Sequence, residues 1–326
     1  MKNYIYNAPD GDGILNVARD GFFLKNVGKD EIILYFYVNS NAVIIGRNQN
    51  AWRECRLSAM ERDGVQLVRR HTGGGAVRHD SGNLNFSFIT DEKHYDLKRQ
   101  LKVILNAVSK LGISAELSGR NDITVDGRKF SGSAYALYKD KRAHHGTLLV
   151  NSDLDKMAEY LNVSQAKLKS KGVASVRSRV CNLSEYAPGL TVDKLRSLIT
   201  ESFIAEYGEA SEYPMNEKLL AGIENERARQ ASWDWRFGKS PEFEICFENR
   251  FSFGETQIFI RTKNGFIAEA KVFSDALDTR LAGEITDCLT GCRYTREAVC
   301  ESFEKLNDRR AAFELIDYFS GNNSDA

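Results

Sequence analysis

The 326-residue sequence lacks the features that mark membrane, secreted and zinc-binding proteins. No run approaches the roughly 18 apolar residues that a membrane span requires. The first residues, Met1 to Asn7, do not form the charged and then apolar segment of a secretory signal. The six cysteines include no CxxC pair and no neighbouring histidine ligands, so they indicate free thiols in a reducing compartment rather than structural zinc. We therefore expect a cytoplasmic protein with no membrane partner.

The sequence also lacks an excess of charge of either sign. Lysine plus arginine number 45, and aspartate plus glutamate number 45, which gives a net charge of zero. This balance removes any global electrostatic reason for binding nucleic acid. Any phosphate binding must therefore depend on local clusters of basic residues.

The length exceeds that of one typical domain and predicts two. Up to about residue 240 the periodicity mixes short strands with helices, including an amphipathic helix between His94 and Leu111. Turn residues at the end of Trp233 to Pro241 mark a boundary, after which three strands precede three helices. We predict a first domain of residues 1–240 and a small α+β domain of residues 241–326.

A glycine-rich stretch, Arg69 to Asp80, separates two apolar runs of the first domain. Val65 to Val68 precede it and Leu84 to Ile89 follow it, so it is predicted to connect two strands. A hairpin turn is the simplest interpretation of such a stretch. It matches neither a Walker loop nor a dinucleotide fingerprint.

The residues around these glycines favour an additional role. Gly73 to Gly75 permit positive φ and let the backbone approach a ligand closely, with amide N–H groups facing an anion. Arg69, Arg70 and Arg78 flank them, and guanidinium groups suit phosphate. The stretch therefore has the outline of a phosphate-binding loop.

A β-hairpin is predicted around Asp126 and Gly127. This dipeptide lies between apolar residues and is a strong signal for a two-residue turn, which places Lys129 at the start of the return strand. Taken singly, Lys129 fits a solvated hairpin lysine and Asp122 fits a turn cap.

A pair of histidines, His144 and His145, precedes a further predicted strand at Leu148 to Asn151. Such histidines are more often hydrogen-bonded scaffold than catalysts. The strand Ile32 to Val38 is likewise predicted to join Val43 to Ile45 through a turn.

Together these segments resemble the lipoate-protein ligase A family, within the superfamily that includes the biotin protein ligases. The matching stretches are Val43 to Asn50, Arg69 to Asn83, Gly119 to Ala134, His144 to Val150, Gly172 to Leu183 and Trp233 to Lys239. They follow the family order across the first domain. The resemblance implies an α+β fold, with a large mixed-sheet biotin/lipoate-ligase-like catalytic domain and a small α+β C-terminal accessory domain.

The first helix departs from the family pattern. That helix usually carries Asn-Leu-Ala-x-Glu-Glu, whereas here the segment Asn16 to Asp20 lacks the pair of glutamates. We therefore assign no role from sequence to the residues that replace them, Arg19 and Asp20.

The resemblance implies a two-step reaction that uses ATP and Mg²⁺. The carboxylate of lipoate attacks the α-phosphorus of ATP to give lipoyl-AMP and pyrophosphate. A lysine of a lipoyl domain then takes the lipoyl group, and the expected acceptors are those of the 2-oxoacid dehydrogenase complexes and the glycine cleavage H protein. Bringing a carboxylate to a triphosphate opposes like charges, so such a site needs fixed cations and amide donors.

The resemblance also implies roles for individual residues. The residues expected to bind ATP are Arg70, Gly75, Ala76, Val77, Arg78 and Lys129. Lys129 is the expected catalytic residue, bridging the lipoate carboxylate and the α-phosphate. Gly74 and His145 are expected to border the lipoyl pocket with Lys129, and Asp122 is expected to bind Mg²⁺ or to orient its neighbours.

Two other functions stay open at this point. An octanoyl or lipoyl transferase of the same fold would use a cysteine thioester and no ATP, and Cys181, beside Arg179, is the cysteine nearest a matched motif. A non-catalytic relative could instead bind lipoyl domains. Lipoate-dependent exchange of pyrophosphate into ATP distinguishes the three.

Overall fold

A computed structural model describes residues 1–119, 121–162, 180–237 and 245–320. Within those ranges, no helix is both long and apolar enough to cross a membrane. The chain forms two compact units, here called the N-terminal unit and the C-terminal unit. The N-terminal unit comprises Met1–Ile45, Trp52–His71 and Ala76–Arg236, and the C-terminal unit comprises Gly46–Ala51, Thr72–Gly75 and Phe237–Ala326. The predicted boundary at residue 240 lies outside the described residues.

Eleven described strands precede residue 237. They are β1 (Lys2–Asn7), β2 (Glu31–Tyr37), β3 (Asn41–Ile45), β4 (Gln66–Arg69), β5 (Val77–Asp80), β6 (Asn83–Asp91), β7 (Glu116–Ser118), β8 (Asp122–Val125), β9 (Arg128–Tyr138), β10 (Lys141–Leu149) and β11 (Ser211–Glu212). Eight of them form one mixed sheet in the order β11-β1-β2-β6-β10-β9-β8-β7. β1 is parallel to both of its neighbours, and the remaining pairs are antiparallel.

The described helices of the same part of the chain are α1 (Gly13–Asn26), α2 (Ala51–Glu54), α3 (Leu57–Arg62), α4 (Leu97–Ser109), α5 (Leu154–Tyr160), α6 (Val192–Tyr207), α7 (Glu217–Ala231) and α8 (Trp233–Arg236). α1 packs on one face of the large sheet, and α4 and α6 pack on the other. Asp12 caps α1 by accepting from two backbone N–H groups, and Asp96 caps α4 by accepting from the backbone N–H of Arg99. The helix predicted between His94 and Leu111 is therefore confirmed, with its start fixed by Asp96.

The central strand β6 shows why the two faces of the sheet differ. Phe86 and Phe88 point into the main apolar core, which α4 and α6 complete. Asn85 and Ser87 alternate with them and are equally buried, but on the opposite face, where α1 packs. Each fully buried phenylalanine contributes roughly 1.5–3 kcal/mol of transfer free energy. Ile89 on the same face joins a second apolar core with Phe23 of α1, whereas the part of this face around Asn85 and Ser87, here called the polar face, is lined by polar side chains.

The strands that flank the glycine-rich stretch form a separate sheet in the order β4-β3-β5. β3 is parallel to β4 and antiparallel to β5, so the chain passes from one edge of β3 to the other. The hairpin interpretation of the glycines is wrong, because the strands on either side of them do not pair. β2 and β3 also belong to different sheets, so the predicted turn at residues 39–41 does not join partner strands.

The paired histidines lie inside a strand rather than before one. β10 begins at Lys141, earlier than predicted, and pairs with β6 on one side and β9 on the other. Polar residues at its start hid this strand from a search for apolar runs. His144 and His145 consequently face opposite sides of the sheet.

The C-terminal unit has the predicted arrangement of three strands and three helices. Its strands are β12 (Ile245–Phe251), β13 (Gly254–Lys263) and β14 (Phe266–Ser274), and its helices are α9 (Leu281–Leu289), α10 (Arg296–Phe303) and α11 (Arg309–Ser320). The strands form an antiparallel meander. The helices close a separate apolar core that includes Ile260, Ile285 and Phe303.

Candidate active site

A row of side chains crosses the polar face of the large sheet. Strand register places Tyr37, Asn85, Thr147, Gly132 and Asp122 side by side on β2, β6, β10, β9 and β8. Directly opposed residues on neighbouring strands point to the same face. We call this set the polar row.

A β-bulge brings Lys129 onto the same face. The pairing of β8 with β9 shifts between Ile123 and Thr124, so that Phe130 is an extra residue beside Ser131. Phe130 is directed into the apolar core. In a regular strand without a bulge, Lys129 and Gly132, three positions apart, would face opposite sides. The bulge therefore directs the lysine towards the polar row.

The ammonium group of Lys129 is held by a carboxylate. Its Nζ lies 2.6 Å from Oδ1 of Asp122, and both side chains remain about one third exposed, at 36% and 35%. A Cβ at Gly132 would lie only 2.8 Å from that Nζ, so glycine leaves the space that the lysine occupies. The result is an oriented, solvent-accessible cation over the sheet.

His145 lies on β10 two residues before Thr147, so it points to the same face of the sheet, and it contacts a carboxylate of α1. Its Nδ1 is 2.8 Å from Oδ2 of Asp20, and both side chains are buried. Burial alone would raise the pKa of the Asp20 carboxyl, but the charge and hydrogen bond of His145 outweigh burial and hold that pKa below its usual range. The two residues form a buried hydrogen-bonded pair between β10 and α1.

Sequence reasoning missed Asp20, to which we assigned no role. A signal was available, since Asn16 and Asp20 are four residues apart and so share one face of α1. Both are buried on the polar face of the sheet. Their hydrogen-bond partners, Asn39 and His145, are far away in the sequence, so the local sequence pattern did not reveal these contacts.

The three arginines near the glycines have different partners. The Arg69 guanidinium donates to the carbonyls of Trp235 and Arg236, and so caps the end of α8. Arg70 is buried, and its Nη1 donates to the Ile44 carbonyl at 3.1 Å. Arg69 thus has a structural task that the sequence did not indicate.

Arg78 is held on β5 by two side chains. Its Nη1 lies 3.0 Å from Oδ2 of Asp80, and its Nη2 donates to Oδ1 of Asn41 at 3.0 Å. Ala76 and Val77, the residues before it, are half-buried. β3 separates Arg78 from Arg70, so the predicted nucleotide residues come from both edges of the small sheet.

Close backbone packing within the C-terminal unit requires glycine at positions 46 and 73. A Cβ at Gly73 would lie 2.1 Å from the Ala276 carbonyl oxygen, and a Cβ at Gly46 would lie 2.0 Å from that of Gly74. Gly74 has φ +92°, and its N–H donates to the Ala276 carbonyl at 3.3 Å. Nothing lies within 4 Å of a Cβ at Gly75. In this conformation the Gly74 amide is engaged, contrary to the expectation that it faces an anion.

Cys181 does not have the surroundings of a nucleophile. The residue is fully buried, and its thiol donates to the Arg128 carbonyl at 3.6 Å. Burial raises the pKa of this thiol and keeps it protonated. Its backbone N–H donates to the Lys129 carbonyl at 2.9 Å, so the cysteine supports the strand that carries the lysine.

A metal-ion role for Asp122 receives limited support, because one of its carboxylate oxygens already contacts Lys129. Within the described residues, one group of three possible ligands is found elsewhere, at Asp30, Asp91 and His94. Lys93 Nζ lies 3.0 Å from Asp30, so a positively charged side chain of the protein already pairs with one carboxylate of that group. The expected roles of Asp122, in binding Mg²⁺ or in orienting its neighbours, stay predictions.

Three predicted segments lie outside the described residues. They are Arg120 of the hairpin stretch, residues 172–179 of the fifth matching stretch, and residues 238–241 at the predicted boundary. The remainder of the fifth stretch is described and joins the site, because Val180 pairs with Lys129 in an isolated bridge.

Comparison with known families identifies the class of protein. The model for the lipoyl protein ligase A/B catalytic domain matches residues 12–204, and that for the bacterial lipoate protein ligase C-terminus matches residues 240–318. The chain belongs to the lipoyl protein ligase A/B catalytic domain family. The fold class expected from sequence is confirmed, with a large mixed-sheet biotin/lipoate-ligase-like domain and a small α+β C-terminal domain.

Solved structures point to the lipoate-protein ligases within that class. LipL1 of P. falciparum in complex with lipoate is 30% identical with a TM-score of 0.86, over 97% of this chain and 98% of that chain. The bi-partite lipoate protein ligase of Thermoplasma acidophilum, described with its E2 lipoyl domain, is 28% identical with a TM-score of 0.67, over 75% and 100%. A lipoate-protein ligase A bound with ATP is 27% identical with a TM-score of 0.64, over 73% and 99%.

Proposed function

We propose that this protein activates lipoate with ATP and then transfers the lipoyl group to a lysine of a lipoyl domain. The observation that carries the proposal is the Lys129 ammonium, held 2.6 Å from Asp122 on the polar face of the sheet. Relatives that bind lipoate and ATP support the choice of both substrates.

The first step forms an acyl-phosphate bond. A carboxylate oxygen of lipoate attacks the α-phosphorus of ATP, the bond to the bridging oxygen breaks, and pyrophosphate leaves with its electrons. Negative charge accumulates where the carboxylate and the α-phosphate meet. Lys129 would stabilise that charge, because a preorganised cation acts where charge develops in the transition state.

The remaining predicted residues would bind and orient the substrates. In this proposal the ATP-binding residues are Arg70, Gly75, Ala76, Val77 and Arg78. Gly74 and His145 would border the lipoyl group. The Asp20 carboxylate, 2.8 Å from His145, would fix the orientation of that imidazole.

Magnesium would enter with ATP, as it does in most reactions of nucleoside triphosphates. It would shield the phosphate charge and so ease the approach of the carboxylate. Asp122 would orient Lys129, because its Oδ1 already contacts the ammonium group.

The second step transfers the acyl group. The neutral amine of an acceptor lysine attacks the lipoyl carbonyl carbon, an amide bond forms as the nitrogen loses a proton to solvent, and the bond from the carbonyl carbon to the phosphate oxygen breaks, so that AMP leaves. A ligase whose description includes its E2 lipoyl domain supports such an acceptor. We extend the proposal to lipoyl domains of the 2-oxoacid dehydrogenase complexes and to the glycine cleavage H protein.

The alternative of a cysteine-dependent transferase is disfavoured by the surroundings of Cys181. A thioester mechanism needs an accessible thiolate. Here burial raises the pKa of the thiol, which donates to a backbone carbonyl.

Two linked assays test the proposal. Purified protein should exchange labelled pyrophosphate into ATP only when lipoate is present, and should then modify a purified lipoyl domain. Transfer from an acyl-carrier thioester without ATP would favour the transferase. Absence of both activities, with retained binding of the lipoyl domain, would favour a non-catalytic partner.

A further inference from the structure

A line of hydrogen-bonded polar side chains connects Asp10, a partly exposed residue, to the buried His79. Arg19 Nη2 donates to Oδ2 of Asp10 at 2.7 Å, and Arg19 Nη1 donates to Oδ1 of Asn16 at 2.8 Å. Asn16 Nδ2 lies 3.0 Å from Oδ1 of Asn39, and Asn39 Nδ2 lies 3.0 Å from Nδ1 of His79. Asn16, Asn39 and His79 are all buried.

The orientation of the Asn16 side-chain amide determines which atom donates and which accepts in every following hydrogen bond of this line. A guanidinium only donates, so the atom of Asn16 that faces Arg19 must be the carbonyl oxygen. The Tyr35 hydroxyl donates to the same oxygen at 3.1 Å. The other end of the Asn16 amide lies 3.1 Å from the Asp10 carbonyl, which only accepts, so it must be the NH₂ group.

This direction determines the tautomer of His79. Because Asn16 donates to Asn39, the Asn39 atom that it meets is the oxygen, and the Asn39 NH₂ group faces His79. Nδ1 of His79 must therefore accept. A neutral imidazole that accepts at Nδ1 carries its proton at Nε2. Burial lowers the pKa of His79 to about 3, which keeps the ring neutral at physiological pH.

The Nε2–H of His79 has no hydrogen-bond partner among the described residues. An unpaired buried donor is costly, and in native proteins such groups call for an explanation. The geometry places this donor near His145. Asn16 and Asp20 lie one turn apart on the same face of α1, and Asn16 connects to His79 through Asn39 while Asp20 contacts His145 directly. The unpaired donor therefore lies beside His145, which is expected to border the lipoyl group.

We propose that His79 is a substrate-binding residue whose Nε2–H donates to an oxygen of the acyl-adenylate, either its acyl carbonyl or its anionic phosphate. The proposal rests on the function proposed above. The line from Arg19 holds the donor in one tautomer, so no proton has to be rearranged when the ligand binds. Neither the sequence nor the family comparison assigned this residue a role.

Nuclear magnetic resonance of protein labelled with ¹⁵N at histidine provides the direct test. The unliganded protein should show His79 as the neutral Nε2–H tautomer, unchanged between pH 5 and 8. The probe is lipoyl-sulfamoyl-adenosine, a non-hydrolysable analogue of the adenylate. Its binding should move the Nε2–H proton downfield. An Nδ1–H tautomer in the free protein would overturn the inference.

Two variants separate ligand binding from a structural role. In His79→Asn the side-chain amide can still hydrogen-bond to Asn39, but no N–H group remains at the position of Nε2. In His79→Gln an amide N–H can reach the position of Nε2, but the contact with Asn39 is lost. We expect His79→Asn to weaken binding of the analogue by about 10- to 100-fold, the effect of losing a hydrogen bond to a charged group, and His79→Gln to weaken it less. The opposite ranking would show that only the link to Asn39 matters.

The apparent KM values identify which oxygen accepts. A rise in KM for lipoate in His79→Asn assigns the donor to the acyl oxygen, and a rise in KM for ATP assigns it to the phosphate. If the analogue binds the wild-type protein without moving the His79 signal, the inference is wrong while the proposed function stands. If calorimetry detects no binding of the analogue at all, the proposed function fails and the inference fails with it.

Discussion

At the scale of the residue, Gly132 decides where the Lys129 ammonium can lie. A Cβ at this position would come within 2.8 Å of Nζ and 3.0 Å of Cε of the lysine. Both atoms are at the far end of a flexible side chain, so Gly132→Ala should displace the lysine without disturbing the fold. We expect the rate of lipoate-dependent pyrophosphate exchange to fall by about tenfold or more, because the cation loses its preorganised position.

A second glycine supplies the matched control. No atom lies within 4 Å of a Cβ at Gly283, which is in helix α9. Gly283→Ala should leave exchange unchanged and stabilise the helix by roughly 0.5–1 kcal/mol. Normal exchange in a folded Gly132→Ala protein would mean that the position of the Lys129 ammonium does not limit catalysis.

The placement of Lys129 also shows how far sequence reasoning reaches. The hairpin was predictable, because Asp126 and Gly127 both adopt positive φ, at 49° and 72°, and this dipeptide is preferred in such turns. The face on which Lys129 lies was not predictable. It depends on an extra residue, Phe130, whose position is set by packing in the core.

At the scale of the element, His144 joins β10 to α4. Its Nδ1 lies 3.1 Å from Oε1 of Gln100 on that helix, and its Nε2 lies 3.1 Å from the Ser133 hydroxyl. Burial, with a smaller contribution from the charge of His145, lowers the pKa of this histidine to about 3. The unfolded chain binds a proton at the ordinary pKa of about 6.5.

This difference predicts an acid-dependent loss of stability. Between pH 6.5 and 3 the unfolded state holds a proton at His144 that the folded state does not, so the free energy of unfolding falls as pH falls in that window. The contribution is on the order of a few kcal/mol. His144→Gln cannot titrate, so urea unfolding as a function of pH should show a shallower decline by up to one proton.

A half-exposed histidine serves as the control for this measurement. His94→Gln replaces a histidine of the surface network with Asp30 and Asp91, and leaves the buried one in place. It should retain the steep decline between pH 6.5 and 5, above the range in which the carboxyl groups of Asp30 and Asp91 titrate. A decline in His144→Gln as steep as in the wild type would show that this histidine is not kept neutral in the fold.

Strand pairing was predicted less well than strand identity. The apolar runs located β2 and β6 correctly, since each is buried in the large sheet. β5 and the beginning of β10 were missed, because their polar residues pair with distant strands rather than forming an apolar run. The pairs His145 with Asp20 and His79 with Asn39 were missed for the same reason.

At the scale of the whole molecule, the C-terminal unit has an apolar core separate from those of the N-terminal unit, which predicts two cooperative transitions. Ile285 is fully buried in the core of the C-terminal unit. Ile285→Ala should destabilise that unit by about 2–5 kcal/mol through lost transfer free energy and a cavity. The core of the N-terminal unit is composed of other residues and should keep its own stability.

Intrinsic fluorescence distinguishes the two transitions. All three tryptophans, Trp52, Trp233 and Trp235, belong to the N-terminal unit. In Ile285→Ala, the melting curve followed by far-ultraviolet circular dichroism should therefore shift at its C-terminal component, whereas the tryptophan transition should not. A tryptophan transition that moves by the same amount would show that the chain unfolds as one unit.

The most direct test of the proposed chemistry is lipoate-dependent pyrophosphate exchange by Lys129→Ala and Lys129→Arg, beside the wild type. Losing one preorganised charged donor costs roughly 2.7–4 kcal/mol, or about 10² to 10³ in rate, so Lys129→Ala should nearly abolish exchange. Lys129→Arg should not restore it, because a forked guanidinium does not fit where a compact ammonium meets two oxygens. If both variants fold and the alanine variant exchanges pyrophosphate at nearly the wild-type rate, Lys129 does not activate lipoate and the proposed mechanism is wrong.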